Sequence, residues 1–316
     1  MRRFLTPCDI GDLNQALKEA TEVKANPIAN IELGRNRTLL LIFFNSSLRT
    51  RLSTQKAALN LGMNVIVLDI NKDGWLLETE YGVVMDGDKP EHIREAVPVM
   101  GRYCDIIGVR SFARFEDKKD DYSERLLNQF IEFSGVPVVS LESATRHPLQ
   151  AFADLFTIEQ FKTKDRPKVV LTWAPHPKAL PQAVPNSFVE WMKLANVDLV
   201  VTHPIGYDLA PEFMDEVRFE LDQNLALKDA DFVYAKNWAS YTHYGRILGA
   251  DRSWTVDAAK MELTNNAKFM HCLPVRRNMI VSDEVIEGPN SIVIEQAANR
   301  VVSAQVVLQR MLRSMG

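Results

Sequence analysis

Short apolar runs alternate with longer stretches of helical period along the whole 316-residue chain, and this alternation narrows the fold more than any other feature. A short unbroken apolar run reads as a strand buried on both faces, and such strands run parallel when helices connect them. The runs at 38–44, 65–69, 106–109 and 136–140, then 168–173, 198–202, 232–235 and 269–272, are the expected strands. The length exceeds one ordinary domain of roughly 100–200 residues. The expectation is therefore α/β: two parallel-sheet α/β domains with the active site in the cleft between them. Between the two groups of strands, Leu149, Phe152, Ala153 and Phe156 share one helical face, opened by Pro148. A last helix puts Val301, Gln305, Leu308, Leu312 and Met315 on one side and is expected to return to the first domain. The domains are thus expected at 1–147, completed by the helix 299–316, and at 148–298.

Polar residues of unusual character follow the apolar runs directly. Phe44 leads into Asn45-Ser46-Ser47-Leu48-Arg49-Thr50-Arg51, Val109 into Arg110, and Val139 into Ser140-Leu141-Glu142 and on to His147. In the second half, Leu171 leads to Trp173 and His176, Val233 to Lys236, and Met270 to His271-Cys272-Leu273-Pro274. Ligands of open parallel sheets sit beyond the carboxyl ends of the strands, so these junctions are the expected site. A helix start carrying hydroxyls, free N–H groups and an arginine fork suits a phosphate dianion, whereas the plain alternative is an N-cap beside a surface arginine. Likewise His147 and Cys272 can each be read as structural.

Charge and composition remove several other functions. Lys and Arg total 37 against 41 Asp and Glu, so no basic excess attracts nucleic acid or an anionic membrane. An anion must then be held by a local cluster of cations. The chain has neither GxGxxG nor GxxxxGK[ST], which discounts nicotinamide oxidoreductases and P-loop kinases. Its six histidines show no metal-ligand spacing, and no metal site is expected. Three cysteines (Cys8, Cys104, Cys272) without CxxC spacing, and no apolar stretch after Arg2-Arg3, give the expectation of a cytoplasmic protein.

Taken together, the junctions resemble the carbamoyltransferase family, in its ornithine-type branch. Ser47-Leu48-Arg49-Thr50-Arg51 matches the family's S-x-R-T-R loop, and His147-Pro148-Leu149-Gln150, followed by Ala153-Asp154, matches H-P-x-Q. His271-Cys272-Leu273-Pro274 is the ornithine-type H-C-L-P, and Glu295-Gln296-Ala297-Ala298-Asn299-Arg300, one residue longer, looks like E-x-x-N-R. The resemblance implies that Ser47, Leu48, Arg49 and Thr50 hold the phosphate of carbamoyl phosphate, with Trp75 reaching it from the adjacent subunit. It implies further that Arg110, His147 and Arg300 hold the carbamoyl and phosphate oxygens, and Gln150 the carbamoyl NH₂. Cys272 and Leu273 would close that pocket, and Arg110, His147 and Cys272 are the implied catalytic residues. Arg51 is expected to brace the loop through a salt bridge.

The departures narrow the second substrate. The family's S-M-G loop, which holds a free α-amino acid, has Ala235-Lys236-Asn237-Trp238-Ala239 in its place. That replacement is similar to the branches acting on N-acylated ornithine. In the acetyl type a neighbouring subunit supplies a Glu, and a modified Lys follows H-C-L-P; the matching positions are Pro90 and Ile280. A glutamate would repel a succinyl carboxylate and proline would not, so N-succinyl-L-ornithine is the implied acceptor. Glu142, His176, Lys236 and Arg276, with Pro90, are the expected acyl-ornithine residues. N-succinyl-L-citrulline and phosphate are the expected products, a step of arginine biosynthesis. No cofactor is implied, because phosphate is already a good leaving group. A site shared between subunits implies a homotrimer. Glu91 beside Pro90 keeps the acetyl reading open, then plain ornithine; a binding protein for an anionic metabolite is the rival of another class.

Overall fold

The computed structural model describes residues 1–249 and 251–315, so the last residue of the expected helix 299–316 lies outside the described residues. The chain divides into two compact units: residues 1–149 with the chain from Arg300 onward, and Gln150–Asn299. Both divisions fall inside helices. The strands, in chain order, are β1 Arg3–Phe4, β2 Thr38–Phe43, β3 Asn64–Asp69, β4 Leu77–Glu78, β5 Glu91–His92, β6 Ile106–Arg110 and β7 Val138–Glu142. They continue as β8 Lys168–Trp173, β9 Asp198–Thr202, β10 Arg218–Glu220, β11 Phe232–Lys236 and β12 Lys268–Met270. The longer helices are α1 Leu13–Ala25, α2 Arg49–Asn60, α3 Ile93–Met100, α4 Arg125–Phe133, α5 Pro148–Phe161, α6 Ala183–Leu194 and α7 Val293–Arg313.

The first unit is built on a five-stranded sheet of order β1-β7-β6-β2-β3, every pair parallel. Leu40 and Ile42 of β2 and Ile107 and Val109 of β6 form one core with Ile93 and Val97 of α3 and Leu127 and Phe130 of α4. Each such side chain, taken fully from water, contributes about 1.5–3 kcal/mol. The latter part of α7 belongs to this unit: Gln305 accepts from Asn60 Nδ2 at 2.9 Å, and Arg310 Nε meets Glu19 at 2.7 Å. Helix α2 stops where Gly62 takes φ +76°, and a Cβ there would fall 2.1 Å from the Ile31 carbonyl oxygen.

The second unit repeats the plan with the order β10-β9-β8-β11-β12, again wholly parallel. Val170, Val200, Val233 and Phe269 pack with Leu227, Val256, Val281 and Val293 in its core. In each sheet the strand order reverses once, between β2 and β6 and between β8 and β11. A crevice opens at such a reversal beyond the strand ends. Arg110 and Lys236 close β6 and β11, and Ser47–Thr50 and His176 follow β2 and β8.

Six of the eight expected strands differ at an end, β2, β3 and β11 among them by a single residue. The run 136–140 begins at Val138 and extends to Glu142, and Arg110 closes β6 rather than following it. The run 269–272 ends at Met270, leaving His271 and Cys272 in the loop beyond. Two short edge strands, β1 and β10, were not expected: β1 is only exposed Arg3 beside buried Phe4 and β10 is mostly exposed, so pairing defines each.

Candidate functional site

In the first unit the polar residues converge on the end of β6. The register shifts between Val109 and Arg110, so Arg110 stands opposite Glu142. Arg110 Nη2 and Nε donate to Glu142 Oε2 at 3.0 and 3.3 Å, in a pair that is nearly buried on both sides. Its Nη1 donates to the Asn45 carbonyl at 3.0 Å and to that of Ser46, and the guanidinium lies 4.1 Å from the Phe112 ring centre. Arg110 thereby shapes the turn that delivers Ser47, Leu48 and Arg49.

Glu142 Oε2 is also 3.4 Å from His147 Nε2. That nitrogen is 3.4 Å from Arg300 Nη2, which donates to Thr50 Oγ1 at 2.7 Å. Thr50, Arg110, Glu142, His147 and Arg300 thus form one connected, buried array. Glu142, expected beside the second substrate, is engaged here by Arg110 and His147. The reason is that β7 runs two residues further than its apolar run.

The expected hydroxyl caps of α2 are not formed. Its N-cap is Leu48, which makes no side-chain cap bond and is exposed. The N-cap side chain thus offers the first-turn N–H groups no acceptor, which favours an anion there. Arg49 is half-buried at the helix start, while Arg51 is exposed and forms no salt bridge among the described residues. The expected bracing role of Arg51 is corrected accordingly: two residues along a helix turn a side chain to another face.

In the second unit His176, Lys236 and Arg276 come together. Arg276 Nε donates to His176 Nε2 at 3.2 Å, and Nδ1 lies against the Lys178 backbone, 3.0 Å from its carbonyl oxygen and 3.1 Å from its N–H. Burial pushes the His176 pKa below its usual value, and the charges of Lys236 and Arg276 add to this against the Lys178 carbonyl. At neutral pH His176 is therefore uncharged beside two cations. In an NMR titration its midpoint is expected below the ordinary ~6.5. Protonation would set in only as pH falls through that lower value, and a midpoint at or above it would refute the assignment.

Gln150 and the His271–Leu273 loop belong to the same unit. Gln150 is 1% exposed; its Nε2 donates to Asp154 Oδ1 at 2.7 Å, and its Oε1 is buried without a hydrogen-bond partner. Leu273 has φ +52°, uncommon for a leucine, and its N–H donates to His271 Nδ1 at 2.8 Å. Cys272 is half-buried and unpaired in any disulfide. Ile280, at the position of the acetyl branch's lysine, is buried in the core.

Trp75 and Pro90 lie on an exposed segment of the first unit. Its base is a two-stranded parallel ribbon, β4 with β5, in which Leu77 pairs with Glu91. Trp75 is 58% exposed, and its indole N–H donates to Glu91 Oε2 at 2.7 Å. That bond ties Trp75 to the residue next to Pro90 and occupies the Glu91 carboxylate. The site residues that sequence reasoning missed are Asn45, whose Oδ1 accepts from Phe112 N at 2.7 Å, and Phe112 itself. Neither carries a sequence signal apart from its place at a strand end. Among the described residues no group of three or more His, Cys, Asp or Glu could hold a metal ion.

Residues 2–160 match the family described as aspartate/ornithine carbamoyltransferase, carbamoyl-P binding domain, and residues 181–311 match its Asp/Orn binding domain. The chain is 66% identical to N-succinylornithine carbamoyltransferase of Bacteroides thetaiotaomicron over 100% of both chains. It is 38% identical to N-acetylornithine carbamoyltransferase of Xylella fastidiosa over 95% of each. Among solved structures it is similar to a glutamate-to-proline mutant of N-acetyl-L-ornithine transcarbamylase complexed with carbamyl phosphate and N-succinyl-L-norvaline. That likeness has a TM-score of 0.92 at 36% identity, covering 98% of this chain and 100% of the other.

Proposed function

Because the chain belongs to the aspartate/ornithine carbamoyltransferase family, we propose that it transfers the carbamoyl group of carbamoyl phosphate to the δ-amine of N-succinyl-L-ornithine. The products are N-succinyl-L-citrulline and phosphate. The observation that carries this reading is the connected array of Thr50, Arg110, Glu142, His147 and Arg300, gathered beside an uncapped helix start. Succinyl rather than acetyl rests on Pro90. A glutamate-to-proline mutant of an N-acetyl enzyme was captured with a succinyl compound, and the chain's 66% identical relative bears the succinyl name.

In this reading Ser47, Leu48, Arg49 and Thr50 bind the phosphate with side-chain and backbone donors, and Trp75 of an adjacent subunit reaches the same group. Arg110, His147 and Arg300 hold the carbamoyl and phosphate oxygens. Gln150 Oε1 accepts from the carbamoyl NH₂, and Cys272 and the Leu273 carbonyl close the pocket. The neutral δ-amine attacks the carbonyl carbon, the carbon–oxygen bond to phosphate breaks, and a proton leaves the nitrogen as phosphate departs. Negative charge gathers on the carbonyl oxygen, where donors already in place stabilise it. Lys236, Arg276 and neutral His176 take the carboxylates and polar groups of the acyl amino acid. Glu142 orients Arg110 and His147 and accepts from the amine.

A homotrimer fits this use of Trp75 and Pro90. Leu48, Leu52 and Leu59 of α2 and Trp75, Val83, Val84 and Met85 of the ribbon segment are exposed apolar residues that a neighbour would cover. Among the described residues Cys8, Cys104 and Cys272 form no disulfide, which suits the cytoplasm. The test is product formation from carbamoyl phosphate with succinyl-, acetyl- and free ornithine side by side, read by mass. A carbamoylated product mainly from the succinyl substrate is expected. Preference for either of the others would overturn the substrate, and no product from any would overturn the activity.

A further inference from the structure

Asp154 lies one turn beyond Gln150 on α5 and is wholly buried, 0% exposed. Its Oδ1 accepts two amide N–H groups, Gln150 Nε2 and Gln296 Nε2, each at 2.7 Å. Gln296 is fixed at its other end as well, because its Oε1 accepts the His271 backbone N–H at 2.9 Å. Reversing Gln296 would set N–H against N–H at one end and oxygen against oxygen at the other. An oxygen that already takes one amide donor from Gln296 can face only the NH₂ of Gln150. The consequence is the orphan acceptor: Gln150 Oε1 is buried with no hydrogen-bond partner. Such an atom is costly to bury unless a ligand supplies the missing donor. Tyr234, also wholly buried, has its phenol pKa held well above the usual value by burial first, with Asp154 and Cys272 adding to it. It therefore stays an O–H beside them.

From this geometry we infer that Asp154 is the positioning and specificity-determining residue for the carbamoyl nitrogen. It locks the Gln150 amide so that a carbonyl oxygen is presented to an N–H donor, and through Gln296 it holds the His271–Leu273 backbone to the same anchor. The inference rests on the reading of Gln150 as the ligand of the carbamoyl NH₂. It adds that the site distinguishes carbamoyl phosphate from acyl phosphates that carry a methyl group in place of that NH₂. A polar group built to pair with a substrate N–H rejects the analogue lacking it, since the protein oxygen is then left unpaired.

The experiment uses the full-length protein with Asp154→Leu, Asp154→Asn, Gln150→Ala and the Asp154→Leu/Gln150→Ala double variant. Two quantities are read: the KM for carbamoyl phosphate and competitive inhibition by acetyl phosphate. With one hydrogen bond lost, Asp154→Leu is expected to raise that KM about five- to tenfold, leaving acetyl phosphate inhibition within about twofold. In the Gln150→Ala background the same change is expected to add less than it does alone, because only the Gln296 arm is then left to lose. Asp154→Asn, whose Oδ1 can accept both amides, should recover most of the lost affinity. Parallel weakening of acetyl phosphate, additivity with Gln150→Ala, or failure of the asparagine to rescue would each overturn the positioning role. If Gln150→Ala itself left the carbamoyl phosphate KM unchanged, the underlying reading of Gln150 would fall instead. Asp154→Ala replaces the leucine in the same cycle should the leucine variant not fold.

Discussion

Arg49→Ala is expected to raise the KM for carbamoyl phosphate by about 10- to 150-fold, since a hydrogen bond to a charged group is worth roughly 1.5–3 kcal/mol. Arg49 opens α2, its side chain is half-buried, and Thr50 behind it is pinned by Arg300 at 2.7 Å. The guanidinium therefore stands at an uncapped helix start, where partial positive charge from the peptide dipoles adds to its own. Arg51 provides the internal control. It is exposed and forms no salt bridge among the described residues, so Arg51→Ala is expected to change the same KM by no more than about twofold, the usual scale of surface changes. Steady-state kinetics on the two variants decides the matter. Equal effects would mean that the loop does not bind phosphate as assigned.

Pro90→Glu is expected to shift the ratio of kcat/KM for succinyl over acetyl substrate by about 100-fold toward acetyl, since juxtaposing like charges costs several kcal/mol. Proline presents no charge to a distal carboxylate; glutamate presents one that repels succinate and leaves an acetyl group untouched. Glu91, next to it, turns Oε2 to the Trp75 indole N–H at 2.7 Å and is left unchanged by the swap. Competition between the two acyl-ornithines in a single reaction mixture reads the ratio directly. An unchanged ratio would remove Pro90 from the specificity argument and leave Arg276 and Lys236 to carry it.

Much of the fold was legible because parallel strands buried on both faces must be apolar along their length, as in β2, where Leu39, Leu41 and Ile42 are wholly buried. What was not legible lay at the strand ends. Whether Glu142 belongs to a strand or a loop depends on the register of β6 beside it, and the shift at Arg110 has no local sequence signature. The same limit hid β1 and β10, which are strands only because β7 and β9 offer them partners. The family motifs were readable, and so was the absence of the S-M-G loop. The second role of the H-P-x-Q helix was not: Asp154 follows Gln150 at helical spacing, but its link to Gln296 spans 142 residues.

The amino-acid sequence alone determined the family and the alternation of strands and helices, because these follow from local pattern and from motifs in order. Only the tertiary structure decided who touches whom. Arg300 meets Thr50 across 250 residues of chain, Glu142 serves Arg110 and His147, and Asp154 sets the orientation of Gln150. A hydrogen bond needs its partner within about 3 Å and correctly aligned, and that condition is met by strand register and helix packing, neither of which is written in the neighbouring residues.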